Sequence, residues 1–187
     1  MSMEGRRLKS SALVVGLTVS ALTIVAWTQS WFDVVLVADE PGASRLTVGG
    51  DVAAGGLAAL GLAGLALVGA LSIAGPVIRA VLGVLEMLLG ATVALSATLA
   101  LAAPVVAASP SITESTGVSG RRSIDGLVAS VSPTGWPVVA VVLGVATAGV
   151  GVWILATGRR WPGASRRYRA VAVDAGGDVP GGDVPEA

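Results

Sequence analysis

Glu86 poses the sharpest chemical question in this sequence. It is the one acid inside an apolar run, about ten residues into the stretch 76–103. Arg79, Gly83, Glu86 and Gly90 stand four, three and four residues apart. In a helix that spacing puts them on one face, which continues through Ala94 and Ala97. A charge at the centre of an apolar span costs at least about 2.5 kcal/mol on insertion scales, so a carboxyl there needs a reason. Two chemistries fit. In the first, Glu86 is a proton carrier or a ligand-binding carboxylate, with Arg79 one or two turns away. In the second, Glu86 is a neutral acid that hydrogen-bonds a Ser or Thr on another helix and serves assembly alone. The second is favoured, because no other charge within the apolar runs offers itself as a partner. In either case Arg79, Gly83, Glu86 and Gly90 are the candidate functional face. Its small residues should let a neighbouring helix come close.

Little else in the chain bears chemistry. There is no Cys and no His, and there is one Tyr and one Phe. The commonest general base and metal ligand is therefore missing, and thiolate chemistry is excluded. No nucleophile–base pair, metal cluster or phosphate loop is present. No catalytic, cofactor-binding or metal-binding residue is expected, nor a nucleic-acid partner, and the chain is not expected to be an enzyme. Gly61, Gly64 and Gly69, and again Gly144, Ala148 and Gly151, evoke glycine-rich nucleotide loops. They lack the strand–turn–helix setting that such loops require. Helix packing is the better account of them.

The elements that must position this face follow from composition. Of 187 residues, 53% are hydrophobic and 13% charged, and the mean hydropathy is +0.82. A soluble domain carries roughly 25% charge. Lipid is the solvent that suits this chain. Four apolar runs are long enough to span, at about 10–28, 52–74, 76–103 and 136–157. The first follows Arg6, Arg7 and Lys9 like a signal peptide. No small-x-small cleavage site follows it, so it is read as a retained helix. Gly75-Pro76 joins the second and third runs as a tight antiparallel pair, with Arg79 near the bend.

Between the first two runs, 31–37 and 45–48 are β-prone, with the turn residues Asp39-Glu40-Pro41-Gly42 between them. This predicts a small β-hairpin outside the membrane. The segment 104–135 reads as a polar loop, with a short surface helix at 124–128. After Arg169 the chain turns small and acidic, and Gly-Gly-Asp-Val-Pro occurs twice. A disordered tail over 170–187 is expected. The predicted fold is an all-α four-helix transmembrane bundle over 1–169, with a small extracytoplasmic β-hairpin between helices 1 and 2.

Charge sets the expected orientation. With both ends inside, nine basic residues lie inside: Arg6, Arg7, Lys9, Arg79, Arg159, Arg160, Arg166, Arg167 and Arg169. Three lie outside, namely Arg45, Arg121 and Arg122. The positive-inside rule then places both termini in the cytoplasm of a cell-membrane protein. Trp27, Trp31, Trp136 and Trp161 fall near the ends of spans, where interfacial rings are expected. Arg159-Arg160 and Arg166-Arg167 read as a topology anchor, with anionic lipid or a cytoplasmic protein as the alternative partner.

Several stretches in order resemble the tryptophan-biosynthesis-associated membrane proteins of high-GC Gram-positive bacteria. They are Thr28-Gln29-Ser30-Trp31, then Leu46-Thr47-Val48-Gly49-Gly50-Asp51, Arg79 with Gly83, and Trp136-Pro137. The most specific is Arg159-Arg160-Trp161-Pro162-Gly163-Ala164-Ser165-Arg166-Arg167-Tyr168. The resemblance covers most of 10–169. It implies four spans and an outer loop before the second, and it supplies no catalytic residue. Glu86 matches no family motif. The family's biochemical activity is unassigned; the resemblance together with the lack of catalytic side chains points to an accessory membrane protein linked to tryptophan biosynthesis that anchors or modulates a partner. The alternative is a small exporter of tryptophan or a related aromatic metabolite, supported by Glu86 alone.

Overall fold

The computed structural model describes residues 3–37 and 44–158. The expected turn at 39–42, the basic segment from Arg159 onward and the tail 170–187 lie outside the described residues. Elements run α1 (Met3–Trp27), β1 (Ser30–Leu36), β2 (Arg45–Gly49), α2 (Gly50–Ala53), α3 (Leu57–Ile73), α4 (Pro76–Ala102), α5 (Pro104–Thr116), α6 (Arg121–Leu127), β3 (Val128–Pro133) and α7 (Trp136–Thr157). The fold is mainly helical with one small sheet.

Three helical segments are long and apolar enough to cross a membrane: Lys9–Trp27, Pro76–Ala102 and Trp136–Thr157. Pro76 begins α4 and Pro137 stands second in α7, where a missing N–H costs nothing and the fixed φ suits the first turn. The outward faces carry Leu62, Ile73, Val77, Leu99, Val142 and Val145, all exposed. A surface so consistently apolar belongs in hydrocarbon.

The second apolar run departs from expectation. It is not one helix over 52–74. The chain leaves helical geometry at Ala54, with φ −147° and ψ 60°, and resumes at Leu57. Two causes act together. Gly55 and Gly56 make an uninterrupted helix entropically expensive there. The residues before the break are drawn into a second core, since Val52, Ala53 and Ala54 pack against the buried cluster beneath the sheet. Gly50 allows this. A β-carbon on it would stand 2.5 Å from Trp31 Nε1 and 2.8 Å from the Trp27 carbonyl oxygen. What remains, α3, has 17 residues and measures about 25 Å.

The four long helices form a ring. α1 packs on α3 and α7, while α4 packs tightly on α7 and more loosely on α3. Gly16 of α1 faces Val68 of α3 and Val150 of α7, and Gly61 faces Ile24. Near one end, Lys9 Nζ donates to the Ser72 carbonyl at 2.7 Å. These registers run in opposite senses, so every neighbour in the ring is antiparallel.

The sheet sits at the other end, in the order β2-β1-β3, antiparallel throughout. The expected pairing of 31–37 with 45–48 is present, with Phe32 opposite Val48 and Val34 opposite Leu46. β3 was not expected. It lies within the supposed polar loop and pairs with the other edge of β1, Val34 opposite Val131. That loop is largely structured. α5 runs from Pro104 to Thr116 and is capped by Gly117, whose φ of +70° suits glycine. The short helix expected at 124–128 is α6, one residue shorter at its end and three longer at its start. Trp31, Phe32, Val34, Val48, Ile112 and Ile124 form the buried core of this cap.

Candidate functional site

The inward face of α4 consists of Arg79, Gly83, Glu86, Gly90, Val93, Ala97 and Ala100, all buried. The sequence-predicted face is therefore one continuous face in the structure. Its alternating spacing of four and three is the knobs-into-holes period of nearly parallel helix packing. α7 answers with Pro137, Ala140, Gly144, Thr147, Gly151 and Ile154 at the same spacing, also buried.

Glycine sets the distance between these two helices. A β-carbon on Gly90 would sit 2.6 Å from the Gly144 carbonyl oxygen and 2.9 Å from Ala148 Cα. One on Gly144 would meet the Gly90 oxygen at 2.8 Å. One on Gly151 would meet the Gly83 oxygen at 2.7 Å and Met87 Cα at 2.9 Å. Backbone thus rests on backbone along two turns of each helix. Small residues permit this approach, and dispersion contacts reward it.

Arg79 closes the end of the seam remote from the sheet. It is 2% exposed. Its Nη1 donates to the Gly158 carbonyl at 2.8 Å, and its Nη2 to the Ala74 carbonyl at 2.9 Å. Those carbonyls end α7 and α3, where helix dipoles present partial negative charge. Arg79 therefore ties the ends of three helices together. It lies seven residues from Glu86, about 10 Å along the axis.

Glu86 is fully buried, at 0% exposure. Its direction follows from the helical advance of about 100° per residue. Gly83, Met87, Gly90 and Ala94 share an arc that meets α7. Leu85, Leu88, Leu89 and Thr92 share an arc toward α3. Glu86 falls between the two arcs and points into the ring. Among the described residues, neither carboxyl oxygen has a hydrogen-bond partner. The hydrogen bond to a Ser or Thr of another helix, expected from sequence, is not formed.

Three hydroxyls unnoticed in the sequence are buried in the ring, those of Ser20, Thr23 and Thr147. Thr23 donates to the Val19 carbonyl and Thr147 to the Leu143 carbonyl, each at 2.9 Å. Both are thus committed to their own helices. Ser20 Oγ, like Glu86, has no partner among the described residues. It lies against Gly64 of α3, which also touches Leu89 of α4. Ser20 is therefore about one turn from the level of Glu86. The signal for it was the spacing of Gly16, Ser20 and Thr23, shared with Ala12, Val19 and Ala26 on one buried face of α1.

The α3–α4 seam is open. A groove of about 580 Å³ runs along it, lined by Leu60, Ala63 and Leu67 and by Leu85, Leu88 and Leu89. Among the described residues that line it, the one polar side chain is Thr92, whose hydroxyl donates to the Leu88 carbonyl at 2.9 Å. Among the described residues no cluster of three or more acidic, His or Cys side chains is placed to hold a metal.

A family model described as tryptophan-associated transmembrane protein matches residues 13–180. The chain belongs to that family. No curated protein and no solved structure matches it. As a tryptophan-associated transmembrane protein it is a membrane protein. The match takes in the α4–α7 seam, Arg79, Glu86 and the cap.

Proposed function

We propose that this tryptophan-associated transmembrane protein is an accessory protein of the cell membrane, linked to tryptophan biosynthesis, that anchors or modulates a partner and is not itself an enzyme. In this reading the chain crosses four times with both termini in the cytoplasm. The ring of antiparallel helices supports four spans. α3 runs from the cap side to the Arg79 side beside α1 and α4, and the bilayer locally thins or the helix ends adapt to its length. The excess of Lys and Arg at the Arg79 end and beyond supports the orientation.

The observation that carries the accessory reading is the α4–α7 seam. Carbonyls and α-carbons of two helices are in contact where a transport path would need polar side chains in line. Glu86 stands in that interior, and among the described residues neither of its oxygens has a hydrogen-bond partner. The second reading, a small exporter of tryptophan or a related aromatic metabolite, draws on Glu86 alone. The test is a deletion strain, with intracellular and exported tryptophan measured, alongside a pull-down of the tagged protein. Co-purification of biosynthetic enzymes with unaltered export is expected. Altered export, with no such enzymes captured, would replace the accessory reading with the exporter.

A further inference from the structure

Glu86 remains unexplained by an accessory role. It is wholly buried, directed into the ring, and lacks a hydrogen-bond partner at either oxygen among the described residues. The glycine seam on one side of it leaves no room for a side chain, much less for a bound organic molecule. The metal-ligand clusters that would suit a divalent cation are absent among the described residues. The one ligand that fits a carboxyl in this setting is the smallest.

We propose that Glu86 is a proton-binding site at the centre of the bundle, exchanging one proton with water through the loosely packed α3–α4 side of the ring. The step is simple in its balance. A carboxylic acid releases a proton to water and a carboxylate takes one back, with no change of oxidation state.

The surroundings of Glu86 make its two forms unequal partners of the fold. No charged residue lies in α3 or α7. On α4 the remaining charge is Arg79, held on the carbonyls of Gly158 and Ala74. On α1 the charges are Arg6, Arg7 and Lys9 with Glu4, all within its first seven residues. Lys9 is bonded to Ser72. The facing elements therefore supply no counter-ion at the level of Glu86. An ionised carboxylate there would be isolated in low dielectric, an expensive state. The neutral acid is the form compatible with the closed ring, and ionisation favours any state that lets water reach it.

The α3–α4 side is where such a state can open. The α4–α7 seam is fixed by backbone contact, whereas the α3–α4 seam is a leucine- and alanine-lined groove. Leu85 and Leu89 line that groove and bracket Glu86 on its helix. Ser20 of α1, set against Gly64 of α3, adds a hydroxyl without a partner among the described residues.

The test uses the full-length protein in lipid vesicles. Infrared difference spectra between acidic and alkaline buffer should show a protonated-carboxyl C=O band that is lost reversibly in alkali. The same band should be missing in Glu86→Gln. In parallel, lipid-soluble dicyclohexylcarbodiimide, across whose C=N bond a protonated carboxyl adds, should label the wild type at Glu86, as located by peptide mass spectrometry. Labelling should be faster in acid than in alkali by at least an order of magnitude. A water-soluble carbodiimide should label it far more slowly. Labelling of the wild type keeps the test valid if Glu86→Gln fails to fold. A carboxyl band that persists unchanged in alkali, or labelling independent of pH, would overturn the proposal and leave a fixed structural acid. Failure of the lipid-soluble reagent to label Glu86 in acid would overturn it too.

Discussion

Two seams of one helix behave oppositely. α4 meets α7 with glycine or alanine on both sides, and the backbones touch. The same helix meets α3 with Leu85, Leu88 and Leu89 against mixed leucines and alanines, Leu60, Ala63, Ala66, Leu67 and Ala70, and a groove remains. Both interfaces are rich in small residues. What differs is whether the small residues oppose each other in register. In lipid there is little hydrophobic gain from pressing leucines together, because the acyl chains are equally apolar. Close packing must supply the attraction, and it does so where neither backbone is held off by a side chain.

The largest effect should come from forcing the tight seam apart. Gly90→Val or Gly144→Val places methyls where Ala148 and Ala94 backbone atoms already stand. Overpacking of this kind costs about 3 kcal/mol. Unfolding in detergent micelles is expected to shift by that order, or the protein to fail to accumulate. Gly69→Val and Gly149→Val are the comparison, since a β-carbon at either position meets nothing within 4 Å. Equal losses at all four positions would abolish the contrast between the seams.

Next is the latch at the end of the tight seam. Arg79→Met removes two charge-assisted hydrogen bonds to the carbonyls of Gly158 and Ala74. A loss of about 2 kcal/mol is expected in the same unfolding measurement, a discount on two such bonds because the freed carbonyls can relax toward water. Arg79→Lys should recover only part of it, since an ammonium cannot fork across both acceptors. Full recovery by Lys would show that charge alone matters there.

The smallest effect should fall on the open seam. Ala66→Leu adds bulk to the groove, where lipid would otherwise lie. Stability should change by no more than about 0.5 kcal/mol, the range of substitutions that touch no special feature. A loss as large as that of Gly90→Val would mean that α3 and α4 are held as tightly as α4 and α7.

The parts of this fold that the sequence made legible are those whose causes are local. α4 and α7 carry Pro in the first turn, and Arg79 and Glu86 are the charged residues in their mainly apolar runs. The buried face of α4 could be read from spacing, because its glycines and its charges keep the same period. The break at 54–56 could not, because it depends on Gly50 lying beneath Trp31, a contact across elements. Nor could β3. Val128–Pro133 has two valines among serines, alanine and proline, too few β-formers to stand out. Its strand character comes from the unsatisfied edge of β1. α5 was hidden by its serines and by Pro110 within the helix. Ser20 looked like any serine of an apolar run, and only Gly61 and Gly64 of α3 bring a second helix close enough to bury it. The lack of a hydrogen-bond partner for the Glu86 carboxyl among the described residues was illegible for the same reason. A spacing rule shows which way a side chain faces, and the absence of a partner is a property of the other helices.

The position of β1 at the centre of the sheet has a consequence for the order of assembly. Its partner β2 begins nine residues after it ends, but its other partner, β3, begins at Val128, more than ninety residues after β1 ends. At synthesis rates of about 5–20 residues per second, the interval is on the order of several seconds. Over that time α3 and α4 emerge while one edge of β1 has its N–H and C=O groups unpaired. A half-made sheet is a sticky species. The link from Thr134 back to the carbonyls of Trp31 and Ser30 then fixes the start of α7 to the start of β1. α7 therefore arrives with its vertical position already dictated by the first strand.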